Sequence, residues 1–552
     1  MQDHMDRMKQ QRLLIFPKVN VRVFSVSAIL ILGFIILGAA FSETAGAVFS
    51  GMQDWLANTF GWAMIILVNV MLVAVVYLAF GRFGDIRLGR MDEAPEYSLF
   101  AWVAMLFSAG IGIGLIYWGA AEPLYHFFAP PVGEAETVEA AKQAMTISFL
   151  HWGFHAWAVY AVVALSLAYF HFRKGLPLTI RSALYPLLGD RIYGFWGDVV
   201  DILAVFGTMF GIVTSLGLGA MQINSGLDTV FGLPQNAFVQ IAVIAVITAM
   251  ATLSVVAGLD GGIKRLSSIN IGLSLVFLVF MVIVGPTLFI FDTFVQSYGA
   301  YVRDIVSWGT WTEAWTDGGT WQNNWTIFYW AWWVSWAPFV GVFVARISRG
   351  RTIREFILGV MLIPASIMFF WFCAFGGTAL SISLGGDPTL VEATQNAYGD
   401  AMFALLDYFP LASITSGFAI ILIVMWFVTS SDSGSFVIDM LTAGGDPDPP
   451  KVQRIFWAIS EGAVASVLLL AGGLSALQAA AVVAGFPFAI VVALILIGLI
   501  KALRWDPLIV YRHNQKYRND AEADHAMPPE LPGELYGERP ADPADVAPQP
   551  AE

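Results

Sequence analysis

Residues 325–345 read WTIFYWAWWVSWAPFVGVFVA, and no charged side chain appears before Arg346. About 20 mostly apolar residues are enough to cross roughly 30 Å of hydrocarbon as a helix, so this stretch predicts a membrane span. Tryptophan in membrane proteins usually sits at the headgroup level, which suits Trp325. It does not suit Trp333, which lies roughly 12 Å deeper at 1.5 Å per residue. Trp330, Trp333 and Trp336 recur at every third position and form one slowly drifting stripe.

Working outward, the same test finds twelve runs: 24–42, 60–80, 99–127, 147–170, 199–222, 237–257, 268–291, 325–345, 355–384, 402–430, 452–472 and 476–500. The charges support the count. With both termini on the cytoplasmic side, 26 of the 28 Lys and Arg fall inside, and only Lys142 and Arg303 fall outside. Basic loops are strongly retained on the cytoplasmic face, so a missed or invented span would scramble this bias. The expected fold class is an all-α polytopic membrane protein of the inner (plasma) membrane.

Composition agrees. The chain is 58% hydrophobic and 12% charged, with mean hydropathy +0.70, whereas soluble domains are about 45–50% apolar and roughly 25% charged. The lipid bilayer is therefore part of its solvent. The net charge of −13 partly reflects an acidic tail, and no nucleic-acid partner is expected. The single cysteine, Cys373, excludes an intrachain disulfide framework. The polar N-terminus and the long first run predict an uncleaved first span. Residues 292–324, with Trp308, Trp311, Trp315 and Trp321, predict an interfacial helix on the outer face. The tail from Asn519 is Pro-rich and acidic and predicts disorder.

Three stretches carry polar chemistry into the membrane. SAGIGIGLIYWG, in 99–127, alternates Gly110, Gly112 and Gly114, which cannot share one helical face; local unwinding or close approach to a ligand competes with plain small-residue packing. In 325–345, Pro338 is expected to break the backbone ladder behind Trp336. MWFVTSSDSGS ends the run 402–430. There Asp432 and Ser433 suit a helix cap, and Thr429 and Ser430, one turn deeper, are candidate ion ligands.

A second aromatic set, HWGFHAWAVY, holds Trp152, Trp157 and Tyr160. Aromatic faces at the midplane with no carboxylate nearby suit a quaternary ammonium, which donates no conventional hydrogen bond and is attracted by ring quadrupoles. Aromatic core packing is the competing account. His151 and His155 lie four apart on one helix without a third ligand, which favours packing or hydrogen bonding over a metal.

These segments carry a resemblance. NNWTIFYWAWWVSWAPFVGVFVARISRGRTIREF is similar to the signature of the betaine–choline–carnitine transporter family. GIGIGLIYWGAAEPLYHF, HWGFHAWAVY, TSLGLGAMQI and VTSSDSGS resemble its other motifs, in the family's order, and the likeness covers most of residues 10–505. The resemblance implies twelve transmembrane helices. Two inverted five-helix repeats would span 99–291 and 325–500, following two additional helices in 24–98, in a neurotransmitter:sodium symporter-like fold. Residues 1–23 and 501–552 would be cytoplasmic segments and 292–324 the outer helix. It also implies a homotrimer.

By the same resemblance, Trp152, Trp157, Tyr160 and Trp333 would form the substrate's aromatic box. Trp330, Trp332 and Trp336 would line the pathway or a transient site, and the backbone of Gly110, Gly112 and Gly114 would meet the substrate carboxylate. Sodium, the coupling ion in place of any cofactor, would be held by Thr429 and Ser430 with carbonyls near Ser108, Ile111 and Trp426. A second sodium site matches at Thr208 and Phe339 but has Ile212 where a hydroxyl belongs. Run 199–222 lacks the fixed arginine of the family's sodium-independent exchangers. Choline-carrying members tend to have Asp where this chain has Gly114.

The expectation is a sodium-coupled symporter of glycine betaine or a similar methylated zwitterion, and not an enzyme. The alternatives within the family are carriers of choline, carnitine or dimethylsulfoniopropionate. An ammonium-compound channel or sensor would need a continuous polar pore or a soluble signalling domain, and the sequence shows neither.

Overall fold

The computed structural model describes residues 10–13, 16–110, 112–257, 260–316, 319–446 and 448–512. Ile111 and the acidic tail lie outside the described residues, as does the side chain of Ser108.

Among the described residues a two-stranded antiparallel hairpin, β1 (Gln10–Leu13) and β2 (Phe16–Asn20), precedes the helices. The hairpin departs from a purely helical expectation because these residues precede the first apolar run and pair with each other. Asn20 ends β2 and caps the next helix, its side chain accepting from the Val23 N–H at 3.4 Å.

The helices that follow are α1 (Val21–Ala40), α2 (Ser42–Phe80), α3 (Leu99–Gly110), α4 (Ile113–Phe128), α5 (Val138–Trp152), α6 (Phe154–Ala168), α7 (Phe195–Phe231) and α8 (Ala237–Ala257). Then come α9 (Asp260–Val284), α10 (Thr287–Gly309), α11 (Phe328–Arg346), α12 (Ile353–Phe372), α13 (Ala412–Thr442), α14 (Lys451–Gly472) and α15 (Leu474–Arg504). Among the described residues nine helical segments are long and apolar enough to cross a membrane. A tenth is a bent pair, Ser268–Val284 with Thr287–Gly309, turning through 109°. Two further apolar runs are shorter helical pieces: 99–127 is divided into α3 and α4, and the apolar part of α8 is Ala237–Leu253. The chain is a multi-pass, helical membrane protein. Ile29, Ile36, Val73 and Phe80 on α1 and α2 stay exposed, a face that hydrocarbon solvates and water does not.

The basic loops gather at one end of the bundle. Arg173 pairs with Asp506 at 2.6 Å and also donates to the Gly89 carbonyl. Asp85 meets both Arg354 and Arg512 at 3.0 Å, and Arg349 meets Glu93 at 2.6 Å. Arg87 and Thr352 form an isolated bridge, and Thr352 with Glu355 makes a capping box that starts α12. Lys142 and Arg303 instead line a common cleft between α5 and α10.

Two local expectations are corrected. Helix α11 runs unbroken through Pro338. Proline removes one N–H from the ladder, and in membrane helices neighbouring segments re-satisfy what it frees. Here Ser335 also ties α11 to the Ala481 carbonyl of α15 at 3.0 Å. The polar cluster TSSDS is not a helix end either: it lies inside α13, and Asp432 is a buried partner of Arg454 at 2.8 Å rather than a cap. Removing one partner of a buried ion pair costs about 3–5 kcal/mol. Asp432→Asn is therefore expected to lower stability by an amount of that order in detergent unfolding. An unchanged midpoint would show that the pair contributes nothing.

Candidate functional site

The site is built where three chain segments meet. Helix α5 ends at Trp152, Gly153 turns the chain, and α6 starts again at Phe154. The turn lets Trp152 point differently from Trp157 and Tyr160 although all three belong to one motif. Helix α11 supplies Trp333.

The four rings form a continuous chain. Trp157 and Tyr160 have centroids 5.3 Å apart at 74°, Tyr160 and Trp333 6.2 Å at 74°, and Trp333 and Trp152 5.0 Å at 71°. These are edge-to-face contacts of the kind the aromatic quadrupole favours. All four residues are buried, Trp333 at 7% exposure being the most open. Each indole N–H is tied into the protein. Trp333 donates to the His151 carbonyl at 2.8 Å, Trp157 to Met368 Sδ at 3.5 Å, and Trp152 to Glu122 Oε2 at 2.8 Å. With the three indole N–H groups occupied, the cluster offers chiefly ring surface and the Tyr160 hydroxyl.

The glycine motif ends against these rings. Gly112 is fully extended (φ −166°, ψ −175°) where α4 begins, outside the helical conformation. A Cβ on Gly112 would meet nothing within 4 Å. A Cβ on Gly114 would lie 2.8 Å from Trp332 and 3.1 Å from Trp152, so only glycine admits this approach of backbone to rings. The first N–H groups of a helix have no partner within it and carry its positive dipole end. The start of α4 therefore brings carboxylate-binding chemistry beside the cluster.

The other tryptophans divide. Trp332 stacks on Trp333 at 4.8 Å and 17°. Trp332 and Trp336 both donate to the Gly211 carbonyl of α7, at 3.2 and 2.7 Å. Gly207 and Gly211 allow this close approach: a Cβ on either would meet the Ser335 backbone at 3.2–3.3 Å. Trp330 is not brought to the four-ring cluster, and its ring neighbours are His155 and His151.

Of the candidate ion ligands, Thr429 is buried in α13. Its hydroxyl donates to the Met425 or Trp426 carbonyl, at 3.0 and 3.1 Å, and accepts from Asn270 of α9 at 3.1 Å. Ser430 is half-buried beside it. The indole of Trp426 donates to Ser274 at 3.1 Å. Ile113, at the start of α4, and Phe427 of α13 both flank Gly219 of α7, which draws the start of α4 and this part of α13 together. Thr208 is buried with no partner for its hydroxyl, Ile212 follows one turn on, and Phe339 packs against Trp336 at 5.2 Å.

Glu122 was not singled out as a site residue from sequence, and the expectation of an aromatic site without a nearby carboxylate is corrected. Glu122 is fully buried and accepts the indole N–H of Trp152 itself. His151 and His155 pack and hydrogen-bond, as their sequence context favours, and they do so with different partners. His155 stacks on Trp330 and meets Asn69 at 3.1 Å, while the potential ligand atoms of His151, Glu122 and His126 lie within 4.8 Å of one another. The signal was present: Glu122 is the sole Asp, Glu, Lys or Arg in residues 99–127, and an isolated intramembrane charge is costly unless it has a use.

A multi-pass helical bundle with aromatic rings gathered beside a helix start is a membrane protein with a candidate internal site. The profile of the betaine/carnitine/choline family of transporters matches residues 22–508, and the chain belongs to that family. It is 45% identical over 494 residues to a probable glycine betaine transporter of Desulfitobacterium hafniense, covering 89% of this chain and 98% of that protein. It is 44% identical to the glycine betaine transporter OpuD of Bacillus subtilis, covering 82% and 88%. It is also 44% identical to a glycine betaine/proline/choline transporter of Vibrio parahaemolyticus, covering 89% and 91%.

Proposed function

We propose that this protein is a sodium-coupled symporter of glycine betaine or a closely similar methylated zwitterion. The observation that carries the reading is the four-ring cluster set against the start of α4. Ring faces suit the trimethylammonium end, and the first N–H groups of α4 suit the carboxylate. The names of the three relatives agree with this substrate class. Sodium would bind through Thr429 and Ser430, with carbonyls near Ser108, Ile111 and Trp426, because hard cations take oxygen ligands. With Ile212 in place of a hydroxyl, Thr208 and Phe339 make a second sodium site doubtful.

The architecture that goes with this reading has twelve spans and two inverted repeats, 99–291 and 325–500, joined by the outer helix. Both termini would be cytoplasmic, in a trimer in the inner membrane. Competition among betaine, choline, carnitine, ectoine and dimethylsulfoniopropionate in proteoliposomes, with and without a sodium gradient, tests the substrate and the coupling together. Sodium-independent uptake, or choline outcompeting betaine, would overturn the reading.

Gly114 sharpens the choline question. Gly114→Ala should lower betaine uptake several-fold, since its methyl presses on Trp332 and Trp152, without creating choline uptake. Gly114→Asp adds an anion as well, so total rate should fall while the betaine-to-choline ratio moves toward choline. Paired uptake of both labelled compounds checks this. Efficient choline uptake by the wild type, or an unchanged ratio in Gly114→Asp, contradicts it.

A further inference from the structure

Glu122 sits in the middle of α4 with donors converging on both of its oxygens. Oε2 accepts from the Trp152 indole N–H at 2.8 Å and from the Tyr329 hydroxyl at 2.5 Å. Oε1 lies 2.7 Å from His151 Nδ1 and 3.5 Å from His126 Nε2. The ionised carboxylate is an acceptor-only group, and such a ring of donors is what it requires when buried. His151 extends the network. Its Nε2 meets the Thr326 hydroxyl at 3.0 Å, consistent with an Nδ1–H tautomer donating to Glu122, and its backbone carbonyl accepts the Trp333 indole N–H at 2.8 Å. One carboxylate thus orients Trp152 directly and Trp333 through one intervening residue.

Orientation is half of the effect. An N–H donated to an anion is polarised, and in a low-dielectric interior that polarisation passes along the network. Electron density moves into the indole ring and makes its face more negative. A cation over that face is held by that negative potential. A neutral group of the same shape is not.

We propose that Glu122 is a positioning and specificity residue of the aromatic cluster, giving it preference for a positive charge over an uncharged group of equal shape. The proposal rests on the betaine reading and deepens it: the substrate class is selected by charge at its methylated end and not by methyl-group fit alone. It needs no contact between Glu122 and the substrate.

The test compares glycine betaine with 3,3-dimethylbutanoate, in which carbon replaces the quaternary nitrogen, so shape and carboxylate are kept and the positive charge is lost. Inhibition constants against labelled betaine uptake are measured in proteoliposomes. In the wild type betaine should bind far better than the isostere. Glu122→Gln should weaken betaine at least tenfold and the isostere less than twofold, collapsing the ratio. Glu122→Asp, which keeps the charge, should preserve most of it. Equal weakening of both ligands, an unchanged ratio in Glu122→Gln, or equal loss in the Gln and Asp variants would show a merely structural role and overturn the proposal.

If Glu122→Gln does not accumulate in the membrane, Tyr329→Phe reads the same quantity. It removes a competing donor from Oε2 and leaves the carboxylate to Trp152, so the ratio should hold or rise, and its loss counts against the proposal. A wild type that is blind to betaine overturns the transport reading itself. The vibrational band of the Trp152 indole N–H, assigned by difference against Trp152→Phe, then still decides the contact. It should shift in Glu122→Gln and not in Glu122→Asp, and the absence of a shift in Glu122→Gln overturns the proposal.

Discussion

Replacing Trp333 by Leu is expected to lower betaine uptake at least tenfold, in apparent affinity or in rate. Leucine keeps the site apolar and removes two things. The ring face next to Trp152 and Tyr160 is lost, and a desolvated cation–π contact contributes up to about 2 kcal/mol, where about 1.4 kcal/mol is a factor of ten. The His151 carbonyl also loses its indole donor, which slackens the carbonyl of the same residue that bonds Glu122. Trp330→Leu is the matched control. It deletes the same ring from the same helix, but one stacked on His155, so its effect on apparent affinity should be less than threefold. Uptake in proteoliposomes, normalised to inserted protein, separates the two. Near-normal transport by Trp333→Leu would show that the stripe is core packing and not a site.

The second large effect is on coupling. In the double variant Thr429→Ala, Ser430→Ala, sodium-driven accumulation should collapse to the level reached without a gradient. Alanine is the best helix former, so α13 should persist while two hydroxyl oxygens are removed. Asn270 loses its acceptor on Thr429, a cost of about 1–3 kcal/mol for a buried donor, which a thermal-stability measurement would register separately. Accumulation against sodium concentration is the decisive curve. If the double variant still concentrates substrate with the wild-type sodium dependence, the ion binds elsewhere.

Much of this was legible in the sequence because it is written locally. A span of lipid-compatible length is a property of consecutive residues, and so is the charge bias of the loops. The alternating glycines lie where α3 ends and α4 begins, with Gly112 extended. What sequence could not supply were contacts made across the bundle. Pro338 looked like a break because sequence does not show the packing of α11 on distant segments, such as the Ser335 hydroxyl on the Ala481 carbonyl of α15. Asp432 looked like a cap because Arg454 lies on another helix. Glu122 was visible as a lone acid, but its use is set by Trp152, Tyr329 and His151, from two other segments. The break at Gly153 was a missed signal that is local after all: a glycine between two aromatic residues at the point where one helix ends and the next begins.

The Gly211 carbonyl, gripped by the indoles of Trp332 and Trp336, has a mechanical consequence. Two donors on one acceptor oppose sliding between α7 and α11. A shift of a single residue along the axis, roughly 1.5 Å, pulls the carbonyl out of reach of both indoles at once. At about 0.5–1.5 kcal/mol per bond, simultaneous release is several-fold to more than a hundredfold rarer than a state with both bonds closed. Any rearrangement that slides these two helices past each other therefore has to break both bonds together and carries that combined cost.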